Sequence, residues 1–157
     1  MISPLSALII RKPWIDRILA GEKTWELRTK RTGKRGVIAL IEGGSGLIRG
    51  LCVLEDCLPP QSEAMLLESV AFHGVREEEI EGAMAAGWRV PWVLNSVCAL
   101  PAPIPYRHPS GCVTWVTLSE EETLAVCAAV PLGWGLIDAG AQGRRYSDAD
   151  NLSPAAE

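Results

Sequence analysis

The sequence is poor in aromatic residues other than tryptophan and in residues that bind metals. It has one phenylalanine and two tyrosines beside six tryptophans, and only two histidines, His73 and His108. Its five cysteines are odd in number and include no C-x-x-C pair. A zinc site requires closely spaced Cys and His ligands, so the sequence predicts no metal site. The cysteines are better interpreted as small apolar side chains of the core.

Long apolar runs are also absent. No stretch approaches the roughly 18–20 residues that span a bilayer. The first five residues lack the basic region and apolar stretch of a signal peptide. The Gly43-Gly44-Ser45-Gly46 cluster lacks the lysine and the following helix of a phosphate-binding loop, so it predicts a hairpin turn. We therefore expect a cytoplasmic protein with no membrane contact and no cofactor.

What the sequence does contain indicates one globular domain. The chain has 157 residues, of which 48% are hydrophobic and 22% are charged. These values are typical of a domain with a substantial core and exclude disorder over most of the chain. We predict a folded domain over residues 1–131. Residues 132–157, rich in glycine and polar residues, are predicted to be a poorly ordered or loosely packed tail.

Charge is distributed unevenly along this acidic chain. Residues 1–60 carry ten Lys or Arg against six Asp or Glu, whereas residues 61–157 carry five against thirteen. The basic excess is concentrated between Arg11 and Arg35, where nine basic residues meet only Asp16, Glu22 and Glu26. A local basic patch on an acidic protein favours an anionic ligand bound at one place, although it is also compatible with a solvated basic face.

Hydrophobic periodicity predicts short strands and helices that do not alternate regularly. Such an order argues against a doubly wound parallel sheet. It favours an α+β fold built on a small mixed, mainly antiparallel β-barrel with peripheral short helices. The predicted strands cover residues 6–11, 24–29, 37–41, 47–54, 89–100 and 111–118. Predicted helices follow Pro13, cover residues 61–70 and 76–86, and run from a capping box at Ser119 to about Val130, while residues 101–109 are predicted to form an extended loop.

Two segments together resemble the ASCH domain family. The first is Ala7-Leu8-Ile9-Ile10-Arg11-Lys12-Pro13-Trp14, followed by Gly21-Glu22-Lys23-Thr24-Trp25-Glu26-Leu27-Arg28, which matches a strand, Pro-Trp, a short helix and G-x-K-x-x-E-x-R. The second is Trp92-Val93-Leu94 with Pro103-Ile104-Pro105-Tyr106 and His108-Pro109-Ser110-Gly111. The resemblance covers about residues 5–118. It implies a PUA-like β-barrel whose cleft, beside the first helix, handles RNA or modified bases.

Lys23, Glu26 and Arg28 are the first candidates for that cleft. Lys23 occupies the G-x-K position, where its ammonium can pair with phosphate or, if burial lowers its pKa, take part in proton transfer. Arg28 can clamp a phosphate or carboxylate, and Glu26 can act as a base or accept from an exocyclic amine. An exposed lysine and a surface ion pair are the plainer alternatives.

The remaining candidates are aromatic or lie beside a proline. Trp14 after Pro13 and Trp92 after Pro91 are candidate stacking platforms for a base, with Lys12 nearby as a cation. Trp25 and Trp115, in alternating strands, are predicted to pack in the core. Tyr106 and His108 lie in the proline-rich segment, where His108 could act as an acid or base or could simply fix the loop. His73 has no motif that would bring it near this site.

Two functional hypotheses involve RNA or nucleosides, and a third, plainer one is a protein-interaction module whose basic face meets an acidic partner. The first is an ASCH domain that binds RNA, a nucleotide or a modified nucleoside through a basic cleft. The second, implied by the same resemblance, is a hydrolase. Lys23 and Glu26 would be catalytic in an acetylcytidine amidohydrolase, and His108 with the basic patch in a ribonuclease. At the position matching Glu26, the acetylcytidine hydrolases carry a hydroxyl residue and rely on a separate downstream carboxylate, whereas this chain offers only Asn95 and Ser96 there.

Overall fold

A computed structural model describes residues 3–131 and Trp134. The predicted tail, residues 132–157, lies outside the described residues apart from Trp134. The six strands of the described chain are β1 (Ser6–Ile10), β2 (Trp25–Arg28), β3 (Gly36–Glu42), β4 (Leu47–Cys57), β5 (Val90–Pro105) and β6 (Trp115–Thr117). Its helices are α1 (Trp14–Leu19), α2 (Glu63–Glu68), α3 (Val70–His73), α4 (Glu77–Ala86) and α5 (Glu120–Ala129).

All six strands belong to one sheet, in the order β2-β5-β4-β3-β1-β6. Only β1 and β3 are parallel, and the other four pairings are antiparallel. The crossover between β1 and β3 contains α1 and β2, as a parallel pair requires. The sheet curls into a half-barrel and the helices lie around it. The predicted α+β class, with a mainly antiparallel barrel-like sheet and short helices, is confirmed.

Alternating side chains give the sheet two apolar faces. On the inner face, Leu8, Ile38 and Leu40 pack with Ile15 and Ile18 of α1. On the outer face, residues such as Ala39 and Ile41 pack with Val126 of α5. Because both faces are covered, β3 is apolar at nearly every position, which is typical of a strand buried on two sides. Helix α5 begins at the predicted capping box of Ser119 and Glu122.

Between the edge strands β2 and β6, side chains rather than a backbone ladder connect the two ends of the sheet. We call this place the seam and define it by Ile9, Arg28, Trp92 and Trp115. The Ile9 amide donates to the Thr114 carbonyl, and the Ile9 carbonyl accepts from Arg28 at 2.7 Å. Across the same gap the rings of Trp92 and Trp115 stack with centroids 5.8 Å apart. Side chains therefore bridge the gap between the two ends of the sheet, where a closed barrel would have hydrogen-bonded strands.

Two predicted boundaries were wrong near the C-terminal half of the sheet. The segment predicted as a loop, residues 101–109, continues β5 as far as Pro105, opposite Leu47 of β4. Strand β2 pairs only with residues 90–93 of β5, so later residues of β5 have a partner on one side alone. Prolines are tolerated there because their missing N–H can face away from the ladder. Strand β6 is shorter than predicted.

No helix in the described ranges is long and apolar enough to cross a membrane.

Candidate nucleic-acid interface

Lys23, Glu26 and Arg28 lie together, as their shared strand predicts. The Lys23 ammonium is 3.7 Å from Oε1 of Glu26. Oε2 of the same carboxylate accepts a hydrogen bond from Nε of Arg28 at 3.1 Å and lies 3.0 Å from Nη2 of that guanidinium. Side-chain exposure rises along the series, from 3% for Lys23 to 10% for Glu26 and 19% for Arg28. We call these three residues the charged triad. Only its guanidinium end approaches the surface.

The buried ammonium of Lys23 is held by backbone carbonyls. It donates to the carbonyl oxygens of Trp25 and His73, each at 2.6 Å, and lies 4.9 Å from the ring centre of Trp14. Burial lowers the pKa of Lys23, and the neighbouring carboxylate of Glu26 partly opposes that shift. With two carbonyls and one carboxylate around three N–H donors, Lys23 ties the start of β2 to the end of α3.

The orientation of β2 differs from the sequence prediction. Trp25 was predicted to pack in the core. Glu26 is instead the buried residue of the strand, while Trp25 is partly exposed and stacks on the exposed ring of Phe72 at 5.0 Å. The polar residues are accommodated inside because they satisfy one another and nearby carbonyls, which apolar patterning does not reveal.

Residues just before the triad are placed less centrally. Pro13 is the exposed N-cap of α1, and the Lys12–Pro13 peptide bond is cis. Lys12 is 61% exposed and its ammonium lies 3.9 Å from Glu42, so it points to a different group of charges. Trp14 is partly buried between two cations, Lys23 and Arg17. Trp14 therefore borders the triad and Lys12 does not.

The tryptophans exchange the roles that the sequence predicts. Trp92 is fully buried, donates from Nε1 to the Lys30 carbonyl at 2.9 Å and lies beneath the Arg28 guanidinium at 5.5 Å. Trp115 is partly exposed at the seam, and the Lys34 ammonium lies 5.2 Å from its ring centre. The sequence shows that Val113 and Trp115 alternate with threonines, but not that their strand lies at the edge of the sheet. The sequence identifies Lys34 only as one of the nine basic residues between Arg11 and Arg35 and does not predict its contact with Trp115.

Tyr106 and His108 lie on the other face of the sheet. Tyr106 packs against the outer apolar face, whereas the tryptophans of the seam belong to the inner one. The Tyr106 hydroxyl is 2.9 Å from Nδ1 of His108, whose Nε2 is 2.9 Å from the Cys112 carbonyl. Tyr106 lines an open groove of about 690 Å³ beside α5 together with residues such as Arg107 and Glu122. The two parts of the predicted site are thus not brought together.

His73 adjoins the triad, contrary to expectation. Its backbone carbonyl holds Lys23, and its buried ring bonds to the carbonyl of Leu66 and to the amide of Val75. Because Nδ1 accepts from an N–H, Nε2 must donate, so the ring is neutral. Burial lowers the pKa of His73, and the nearby Lys23 charge adds to that effect. The helices α2 and α3, not a sequence motif, place it there.

The basic segment, residues 30–35, runs from the end of β2 to the start of β3 over the seam. Lys30 and Arg31 are exposed, and no carboxylate in the described chain lies within ion-pair distance of either. Lys34 is likewise without a carboxylate partner there and lies 3.4 Å from the Ser6 hydroxyl. Arg35 is 3.8 Å from Asp56. The segment thus presents unneutralised positive charge beside aromatic rings.

Carboxylates, histidines and cysteines do not converge as metal ligands would. Within residues 3–131 and Trp134, no three of them form a group that could hold an ion. None of the five cysteines, all within residues 3–131, forms a disulfide; Cys52 and Cys57 are buried as predicted, whereas Cys127 is exposed. The candidate interface is therefore built from cations, indoles and one carboxylate.

Comparisons with known proteins agree with this architecture. The structure is similar to crystal structures of ASCH from Zymomonas mobilis: for one, the TM-score is 0.63 at 13% identity, covering 82% of this chain and 96% of that chain. For a serine-to-alanine variant of that protein the TM-score is 0.59 at 14% identity, covering 83% of this chain and 100% of that chain. For a tyrosine-to-phenylalanine variant the TM-score is 0.61 at 14% identity, covering 82% of this chain and 99% of that chain. No curated protein gives a significant match. The ASCH domain model matches residues 8–99, which include the triad, and the chain therefore belongs to the ASCH domain family.

Proposed function

We propose that this protein is an RNA-binding ASCH domain whose basic segment contacts phosphates next to the seam. ASCH domains are implicated in RNA binding and ribonuclease activity, which gives the class of ligand. The observation that carries the proposal is the exposed, unneutralised pair Lys30 and Arg31 beside Arg28 and two indoles. Phosphate contacts supply most of the affinity of such interfaces, and aromatic rings take up bases.

The distribution of charge supports a localised interface. Helix α4 begins with three glutamates, and α5 begins with three more. An acidic protein repels nucleic acid over most of its surface, so binding is confined to the basic face. Lys23 contributes indirectly, because its donors are engaged by carbonyls and Glu26, whereas Arg28 retains partial exposure.

The test is RNA affinity as a function of salt. A fluorescein-labelled single strand of about 12 nucleotides is titrated with protein and followed by anisotropy at several salt concentrations. We expect Lys30→Ala/Arg31→Ala to weaken binding and to reduce the slope of log K against log salt by about 1.4, since each phosphate contact on a single strand contributes about 0.7. Arg76→Ala/Arg107→Ala removes the same charge elsewhere and should leave the slope unchanged. Equal effects of both pairs, or no salt-dependent binding by the wild type, would refute the proposal.

A second candidate, hydrolysis of an acylated nucleoside, is favoured by one observation. Lys23 and Glu26 are 3.7 Å apart, and burial lowers the lysine pKa, as amide hydrolysis by a proton-transfer pair would require. The test for this activity is to incubate acetylcytidine separately with the wild type and with Lys23→Ala and to follow its conversion by chromatography. Conversion to cytidine by the wild type and its loss in the variant support a hydrolase. No conversion by the wild type excludes this activity on acetylcytidine.

The geometry gives less support to a histidine-dependent ribonuclease. That chemistry needs an imidazole nitrogen free to exchange a proton with substrate. Both ring nitrogens of His73 and of His108 are within 2.9 Å of a protein partner. These are the two histidines of the whole sequence.

A further inference from the structure

Trp115 is held at the seam by ring contacts. One ring contact is with the buried Trp92, nearly parallel to it at 13°, and the ammonium of Lys34 lies over Trp115. Its Nε1 is buried and has no hydrogen-bond acceptor among the described residues, whereas Nε1 of Trp92 donates to Lys30. A buried donor without an acceptor opposes folding, so core packing alone does not account for an indole at this position.

The Lys34 ammonium covers the Trp115 ring, and few other interactions hold it there. The ammonium sits at the end of a flexible side chain, and its hydrogen bond to Ser6 is long, at 3.4 Å. No carboxylate in the described chain pairs with it. Moving this ammonium from the ring to a phosphate would exchange a cation–π contact for a charge-assisted hydrogen bond, which is the stronger interaction.

We propose that Trp115 and Lys34 form a subsite for one unpaired base of an RNA strand, with the base on the Trp115 ring and the adjoining phosphate at Lys34. The inference rests on the proposed RNA binding and specifies the substrate as single-stranded. Base stacking on an indole requires a base that has left its own stack. A fully paired duplex offers phosphates to the basic segment but no free base to the ring.

The test compares a single strand of about 12 nucleotides with the same strand annealed to its complement. Wild type is expected to bind the single strand about tenfold more tightly than the duplex. Trp115→Leu should weaken single-strand binding about tenfold, leave duplex binding unchanged and so remove the preference. Trp88→Leu is the matched control, because Trp88 is 54% exposed and lies outside the seam; it should behave as wild type.

Two further variants separate stacking from folding. Trp115→Phe keeps an aromatic ring and removes the unsatisfied N–H, so it should retain the preference for the single strand and unfold at a temperature no lower than wild type. Lys34→Met should reduce the salt slope for the single strand by about 0.7. If wild type binds RNA with salt dependence but Trp115→Phe and Trp115→Leu both retain full affinity and preference, this inference is wrong while RNA binding stands. If the wild type binds neither the single strand nor the duplex, both the proposed RNA binding and this subsite are wrong.

Discussion

At the residue scale, Glu26 neutralises one buried cation, Lys23, and one partly buried cation, Arg28. Its carboxylate lies between the Lys23 ammonium and the Arg28 guanidinium, and each oxygen faces one of them. Removing one member of a buried ion pair leaves its partner uncompensated, which costs about 3–5 kcal/mol. Loss of Glu26 also brings two like charges into direct opposition. Stability should therefore depend on Glu26 more than on a typical surface carboxylate.

We expect Glu26→Gln to lower the free energy of unfolding by about 3 kcal/mol, because the amide keeps the shape but not the charge. Urea denaturation measures it. Glu79→Gln, which breaks an exposed pair with Arg76, should lower the free energy of unfolding far less, because solvent screens that pair. In Lys23→Met/Glu26→Gln the loss should be smaller than the sum of the single losses, because one of the uncompensated cations is gone. A Glu26→Gln variant as stable as Glu79→Gln would contradict this account of the triad.

The triad also shows how far the sequence predicts a site. The G-x-K-x-x-E-x-R spacing brought Lys23, Glu26 and Arg28 together correctly. It did not reveal that the polar side of β2 is the buried side, because burial there depends on carbonyls of Trp25, His73 and Ile9. Backbone acceptors carry no residue-specific signal in a sequence. Roles that depend on them emerge only once the chain is folded.

At the element scale, the short helices α2 and α3 position the backbone carbonyl that binds Lys23 of the triad. Ser69 lies between them, and its hydroxyl donates to the Met65 carbonyl, while the His73 ring bonds back to Leu66. Helices of six and four residues are too short to be stable alone, so such tertiary bonds fix them. The α3 carbonyl that holds Lys23 is therefore positioned by a neutral, buried imidazole.

Stability should fall as the pH drops from about 7 to about 5 because of His73. Burial depresses its pKa in the folded state, so below about pH 6.5 the unfolded chain binds a proton that the folded chain does not. The contribution is fully present above that pH. It is lost on acidification by at most about 1.4 kcal/mol per pH unit.

Urea denaturation at several pH values measures this dependence. His73→Gln should flatten it, whatever its effect on stability at neutral pH. His108→Gln alters an exposed imidazole and should retain the wild-type slope. The explanation would be wrong if His73→Gln kept that slope.

At the scale of the whole molecule, the sheet is a half-barrel whose two ends are connected by side chains. Its two edges come from distant parts of the sequence, β2 near the N-terminus and β6 after residue 114. Periodicity predicted the strands and the barrel-like class, since both depend on local apolar pattern. It did not predict which strands form the edges, and so placed Trp115 in the core and Trp92 at the ligand. Position within a sheet is a long-range property that single strands do not encode.

Closure at the seam depends on Arg28. Its guanidinium accounts for the hydrogen bond that reaches β1 from β2, and it also lies over the ring of Trp92. A hydrogen bond from a charged donor contributes about 1.5–3 kcal/mol. Losing it should allow β6 and the adjoining end of β1 to open more often without unfolding the rest of the sheet, since local opening is governed by local contacts.

Arg28→Met should therefore raise amide hydrogen exchange about tenfold in peptides covering β1 and residues 112–118, with α4 unchanged. Arg49→Met is the matched control: Arg49 has a similar exposure, 24% against 19%, and pairs with Glu42 and Asp16 away from the seam. It should leave exchange in residues 112–118 at the wild-type rate. Equal amide exchange of residues 112–118 in the two variants would mean that the stacked rings of Trp92 and Trp115 hold the two ends of the sheet together without Arg28. Selective opening in Arg28→Met would instead show that this guanidinium holds the two ends of the sheet together beside the proposed RNA interface.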